Sequence, residues 1–213
     1  MKRFISRYFP ALPVLLILVP MMFSHSCANT TQAPTGGKKD TIPPVITGVV
    51  PEMGACNVKR SGQQFTFTFN EYVNIKNRSN TFLSPPLKKA PVSKVKGKSV
   101  VVSFEEPLDS NTTYTISFTD ALADNNEGNM FPGFTYVFST GDAIDSLMIT
   151  GIVQDCNTLM PVKGATVMLY KDASDSAVFK SRPYAAAKTD DWGFFRIRNI
   201  ADTLYRLYAV KDD

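Results

Sequence analysis

The sequence predicts an all-β chain of two tandem antiparallel β-sandwiches, set behind an export leader. Three observations carry that prediction. Short runs of alternating apolar and polar residues, split by turn residues, recur from Val45 onward. A link at Gly141 to Ser146 divides these runs into two sets. The first 26 residues have the make-up of a cleaved signal peptide, so the sandwiches begin only after them.

The leader opens on Lys2, Arg3 and Arg7, and no acidic residue precedes Asp40. Its apolar run, Tyr8 to Phe23, is shorter than the roughly 20 residues a bilayer-spanning helix needs. Pro10, Pro13 and Pro20 would break such a helix as well. Ser24 and Ser26 then supply small residues directly before Cys27. Ser24-His25-Ser26-Cys27 resembles a relaxed bacterial lipobox, which implies acylation of the Cys27 thiol and cleavage just before it. A plain signal peptide with an incidental cysteine is the alternative. Acylation gives a solitary cysteine a purpose, because each buried methylene contributes about 0.8 kcal/mol and several chains anchor durably.

Removing the leader takes Lys plus Arg from 23 to 20 against 19 Asp plus Glu, which leaves a charge near +1. A chain so balanced has no basic face for nucleic acid. Residues 27–43 are rich in Thr, Pro, Gly and Asn and are expected to act as a flexible, lipid-anchored tether. The acidic cluster that some Bacteroidetes lipoproteins carry beside the acylated cysteine is absent from residues 28–39. The expectation is therefore an outer-membrane lipoprotein facing the periplasm, with the cell surface as the alternative.

The first sandwich is expected over residues 44–141. Its strands read as Val45-Val50, Gln64-Asn70, Thr81-Leu83, Val92-Val95, Ser99-Phe104, Thr113-Phe118 and Phe134-Phe138. Phe65, Phe67 and Phe69 alternate with Thr66 and Thr68, which puts aromatic rings on one face and hydroxyls on the other. About seven strands is an immunoglobulin-like number. Leu108-Asp109-Ser110-Asn111-Thr112-Thr113-Tyr114 has the spacing of a tyrosine corner, in which a Tyr near a strand start bonds back to the backbone. Pro51 through Tyr72, Leu108 to Phe118, Asp124 to Asn129 and Phe138-Ser139-Thr140-Gly141 resemble the SbsA-type bacterial Ig-like domain. That resemblance implies a non-catalytic module of surface-layer or lipid-anchored proteins.

Asp120, Asp124, Asn126 and Glu127 are hard oxygen ligands and form a weak Ca²⁺ candidate. Their spacing does not fit an EF-hand, and loops rich in Asp and Asn more often cap their own backbone. Glu71 poses the same choice and reads as a turn residue rather than a catalytic acid.

The second sandwich is expected over residues 147–213, with strands at Met148-Val153, Ala165-Tyr170, Ala185-Lys188, Phe194-Ile197 and Tyr205-Val210. The short link before it predicts end-to-end stacking with little freedom. Asp190-Asp191-Trp192-Gly193 reads as a turn with Gly193 at the unusual backbone angle. Trp192, the single tryptophan, is expected to cover the open end of the sandwich, with a ligand-facing role as the alternative. Gly151-Ile152-Val153, Val162 to Val167, Thr189-Asp190, Gly193-Phe194-Phe195 and Tyr205-Arg206-Leu207 resemble the carboxypeptidase regulatory-like domain. This implies a transthyretin-like sandwich without peptidase chemistry. The chain stops directly after a strand, which reads as truncation, or a longer parent.

The only histidine, His25, belongs to the leader, so the remaining residues cannot build a Ser-His or Cys-His nucleophile or a His-ligated metal site. Carboxylate or lysine chemistry survives that argument, but Glu105-Glu106 reads as a solvated pair. The chain is expected not to be an enzyme and to need no cofactor. Cys56 and Cys156 form a candidate disulfide between the sandwiches, with free thiols as the alternative. Thr41, Ser146, Ser176 and Thr203 each follow Asp and precede an apolar residue, a pattern that resembles the O-glycosylation site of Bacteroidetes exported proteins. The expected role is a structural or protein-interaction module of the envelope, touching membrane through its lipid and envelope proteins or glycans through its domains. A surface adhesin or glycan-binding lipoprotein is the alternative, favoured by aromatics exposed beyond the needs of the core.

Overall fold

The computed structural model describes residues 37–172 and 174–211. The chain divides between Lys39 and Asp40, and every strand among the described residues follows that point. Residues 1–36, which hold the expected leader, Cys27 and most of the expected tether, lie outside the described residues.

The described residues are all-β apart from two short helical turns. Nine strands come first: β1 (Ile46–Val50), β2 (Gln64–Phe69), β3 (Val73–Ile75), β4 (Thr81–Ser84), β5 (Val92–Lys96), β6 (Ser99–Ser103), β7 (Thr113–Phe118), β8 (Leu122–Asp124) and β9 (Phe134–Ser139). They pair antiparallel into a four-stranded sheet ordered β1-β2-β6-β5, a three-stranded sheet ordered β4-β7-β9, and the small pair β3-β8. The seven strands expected from alternation are all present; β3 and β8 are additional. β5 closes one edge of the larger sheet with Lys94 and Lys96 exposed, charges that discourage pairing with another chain.

Alternation sets the core. Phe65, Phe67 and Phe69 point inward from β2, and Thr66 and Thr68 lie outside them. Val100 and Val102 face the same way from β6, opposite Phe67 and Phe65 in register. From the other sheet come Tyr114, Ile116 and Phe118 of β7 and Tyr136 and Phe138 of β9, all buried. The rings meet edge-on, Phe67 against Phe118 at 4.9 Å and against Tyr136 at 5.4 Å between centroids. That geometry suits the ring quadrupole.

The tyrosine corner is formed. The Asp109 amide donates to the Tyr114 hydroxyl at 2.8 Å, while the ring stacks on Phe138. Burial pushes this phenol up to about 12. Tyr114→Phe keeps the ring but leaves a backbone N–H without its acceptor, at an expected cost of about 1–3 kcal/mol. Urea unfolding of the two proteins measures it; a difference within about 0.5 kcal/mol would mean the bond contributes nothing.

The second set comprises β10 (Leu147–Ile152), β11 (Thr166–Tyr170), β12 (Ala185–Lys188), β13 (Phe194–Ile200) and β14 (Arg206–Val210), with a four-residue helix α1 (Ala177–Lys180) before β12. β10 pairs with β13, and β12-β11-β14 form the other sheet. Val167, Leu169, Phe195, Ile197 and Ile200 fill a core separate from the first. Gly193 has φ +71, as the turn required, and its amide donates to the Asp190 carbonyl at 3.0 Å.

The arrangement of the two sets differs from end-to-end stacking. β13 lies against β7, so the second set leans on the outer face of the β4-β7-β9 sheet. Hydrogen bonds far apart in sequence fix the contact. The Ser84 hydroxyl donates to the Tyr184 carbonyl at 2.9 Å, and the Arg182 guanidinium to the Leu87 carbonyl at 2.9 Å. A link as short as Gly141–Ser146 permits this fold-back because its own groups are tied at both sides. The Asp145 amide donates to the Thr113 hydroxyl at 2.8 Å, and the Asp145 carbonyl accepts from the Asn199 amide at 3.1 Å.

Candidate functional site

Where β13 crosses β7 the two sets leave a cleft of about 480 Å³. Its floor is the outer face of the β4-β7-β9 sheet. Because Tyr114, Ile116 and Phe118 point inward, Thr115 and Ser117 must point out, and the register sets Ser84 beside Thr115 and Thr135 beside Ser117. Its wall is β13, on which Phe195 and Ile197 enter the second core and Arg196 and Arg198 are exposed. Both arginines line the cleft, together with these four hydroxyl-bearing side chains.

A bulge shapes the wall. The β10–β13 register slips between Leu147 and Met148, leaving Asn199 without a partner. Asn199 takes φ +58, a left-handed angle that Asn tolerates better than most residues. Arg198 thus stays on the cleft side while Ile200 returns to the core. The Asn199 side-chain amide donates to the Asp145 carbonyl, a bond that holds the junction.

Charge in the cleft is one-sided. None of the residues lining it is acidic. Arg196 lies over the Phe194 ring at 5.3 Å, and neither Arg196 nor Arg198 joins an ion pair among the described residues. Arg206, by contrast, is paired with Asp175. Phe82 neighbours Ser117 across β4 and β7 and is 51 % exposed. Strand alternation puts it on the same outer face as Ser84, at the rim of the floor.

The residues singled out for calcium are engaged separately. Asp124 is 1 % exposed, and its carboxylate accepts three backbone amides: Glu127 at 2.7 Å, Gly128 at 2.8 Å and Asn129 at 2.9 Å. Asp120 accepts from Asn80 and from the Thr119 hydroxyl. Asn126 lies beside Asn125, whose side-chain amide donates to it at 3.4 Å, and Glu127 contributes its amide to Asp124. Among the described residues no group of three or more His, Cys, Asp or Glu is placed to hold a metal ion.

Burial pushes the Asp124 carboxyl up, but the amides of Gly128, Asn129, Glu127 and Asn126 outweigh it and hold the group below the ordinary carboxylate range. Nearby Glu71 moves the other way. Burial raises it, then the carboxylates of Asp124, Asp40 and Glu127, with only Asn70 opposing. For Asp124 the sign of the linkage is fixed. A depressed folded value contributes stability above the unfolded value of about 3.9, and that contribution fades as pH falls through the folded value. Asp124→Asn should therefore be less stable than the parent at neutral pH, with the gap closing below about pH 4. Thermal unfolding across that range tests it; a gap independent of pH would contradict the assignment.

The remaining sequence-predicted positions are dispersed. Cys56 and Cys156 are free and exposed. Thr41, Ser146 and Thr203 are exposed, and Ser176 is half-buried at the start of α1. Glu105 pairs with Lys89 at 2.9 Å on the surface. Residues 40–42, assigned by composition to the tether, are engaged by the first sandwich. The Asn129 side chain donates to the carbonyls of Asp40 at 3.0 Å and Ile42 at 3.4 Å, and Pro44 is buried.

Trp192 corrects an expectation. It is 76 % exposed and covers no open end, because Gly193 rather than Trp192 packs against the backbone of Val153 and Val162. The cleft itself went unseen in the sequence. Alternation in Phe194 to Ile197 would place Arg196 on the outer face, but nothing local announces that β7 lies opposite.

Residues 40–140 match the family model of a bacterial Ig-like domain. The match begins where Asp40 is first engaged and ends with β9. Domains of this kind are generally non-catalytic and serve as structural or interaction modules. No curated protein matches the chain.

Proposed function

We propose that this chain is a lipid-anchored, non-catalytic component of a bacterial cell envelope, acting as a structural or protein-interaction module. One observation carries the reading. A cysteine follows directly on a short, proline-interrupted apolar leader, and an Ig-like domain starts a short distance after it. On this reading Cys27 bears the lipid and residues 28–39 give reach. The second set of strands is a carboxypeptidase regulatory-like module, and the protein belongs to the outer membrane of a Bacteroidetes-type bacterium, facing the periplasm. The absence of histidine after residue 25 and the separate engagement of Asp120 and Asp124 support a binding role over a catalytic one.

Cys27→Ser, expressed in a bacterium that processes lipoproteins and grown with labelled fatty acid, tests the anchor. The parent should fractionate with membranes and carry label, and the variant should lose both. A variant that matures normally and stays with membranes, beside an unlabelled parent, would overturn the reading.

A second reading, a surface glycan-binding lipoprotein, is favoured by the exposed Phe82 beside the polar cleft. Protease treatment of intact cells separates the two locations, since only a surface protein is cut.

A further inference from the structure

We propose that the cleft between β7 and β13 binds a saccharide bearing an oxyanion, either a carboxylate or a phosphate. The inference rests on the reading of the chain as a binding module and names its ligand; it does not depend on lipid at Cys27.

Two kinds of group converge there. Arg196 and Arg198 stand on one face of one strand without an acidic partner in the cleft. A guanidinium offers five N–H donors in a planar fork that matches carboxylate and phosphate oxygens. Two such cations side by side repel each other mildly, and an anion between them relieves that. The rest of the chain does not explain them as excess charge, because the residues after the leader are nearly neutral overall. Elsewhere on the second set Arg206 pairs with Asp175 and Lys163 with Asp191, whereas the two arginines stand together on one strand face with no acidic residue in the lining.

Facing the arginines are the hydroxyls of Ser84, Thr115, Ser117 and Thr135. The hydroxyls of Thr115, Ser117 and Thr135 can each donate and accept, which suits sugar hydroxyls and not the apolar side chains that anchor a peptide. The Ser84 hydroxyl donates to the Tyr184 carbonyl and is left to accept. The floor is a sheet face rather than an edge, so an added peptide strand finds no ladder there. Phe82 at the rim supplies a flat apolar surface for the C–H face of a sugar ring. The volume of about 480 Å³ falls within the range of roughly 300–1,000 Å³ typical of small-ligand sites.

The test is an NMR titration of the isotope-labelled full chain in detergent solution with glucuronate, glucose 6-phosphate and glucose. Glucuronate or glucose 6-phosphate should shift the amide signals of Thr115, Ser117, Thr135, Arg196 and Arg198, and whichever binds more tightly identifies the oxyanion. Glucose should bind at least about tenfold more weakly, and Arg196→Gln or Arg198→Gln should each weaken the acidic sugar by about tenfold. Arg206→Gln, outside the cleft, should leave affinity unchanged. Ser117→Leu, which fills the floor without touching charge, should also abolish the shifts, and the spectra report whether each variant is folded. Binding of all three sugars alike, no shift in the cleft with either acidic sugar, or equal loss in Arg206→Gln would overturn the proposal.

Discussion

Phe67→Ala should lower the free energy of unfolding by about 3–5 kcal/mol. Phe67 is fully buried where the two sheets of the first sandwich meet, with Phe118, Tyr136 and Phe134 around it at 4.9, 5.4 and 6.2 Å between centroids. Its backbone is held between Val49 of β1 and Val100 of β6. A truncated side chain cannot be replaced by movement of those strands without breaking two ladders, so most of the cavity would persist. Phe82→Ala provides the control. The same residue type on the outer face of β4 is half exposed, and its loss should cost about 1 kcal/mol or less. Chemical denaturation followed by tyrosine fluorescence measures both. A cost below about 1 kcal/mol for Phe67→Ala would mean that the sheets do not share this aromatic core.

The second large effect concerns Gly193. An added methyl there would press well inside van der Waals contact of the Val153 carbonyl oxygen and crowd the Val162 amide and Pro161. The left-handed angle adds a further penalty. The same backbone also accepts the Val153 amide at 2.9 Å, so the turn cannot swing away without breaking the join between β10 and β13. Gly164 isolates the conformational part, because its φ is +75 and nothing lies within 4 Å of an added methyl. Gly164→Ala should cost about 1–2 kcal/mol; Gly193→Ala should cost clearly more and weaken the whole second core. Thermal unfolding compares them. Equal losses would show that Gly193 is needed for its angle alone.

Period-two alternation made most of the fold legible. In β2, β7 and β9 every second residue is aromatic or branched, and the boundaries read from sequence fall within a residue of those observed. β3 and β8 were not legible, because three residues do not establish a period. Asp124 hid β8 further: a buried carboxylate looks like a loop residue until the three amides that satisfy it are in place. β13 runs three residues beyond its expected end because the bulge at Asn199 interrupts the alternation. The tyrosine corner was readable because its chemistry is local, with Tyr114 five positions after Asp109.

The cleft belongs to the other category. Ser84, Thr115 and Thr135 share one sheet, and Arg198 belongs to a strand of the other core that only the fold-back brings against them. Each looks like an ordinary solvent-facing residue on its own strand. Trp192 shows the same limit from the opposite side: a large aromatic at a turn invites a packing role, yet the glycine beside it takes the buried position.

On the proposed reading, the domains are held at a membrane by lipid on Cys27, the first residue of the processed chain. Mass spectrometry of the N-terminal peptide from protein extracted out of native membranes tests it most directly. A peptide beginning at Cys27 and carrying fatty-acyl mass is the expected result. A peptide that begins elsewhere, or one that begins at Cys27 with an unmodified thiol and amine, would contradict it.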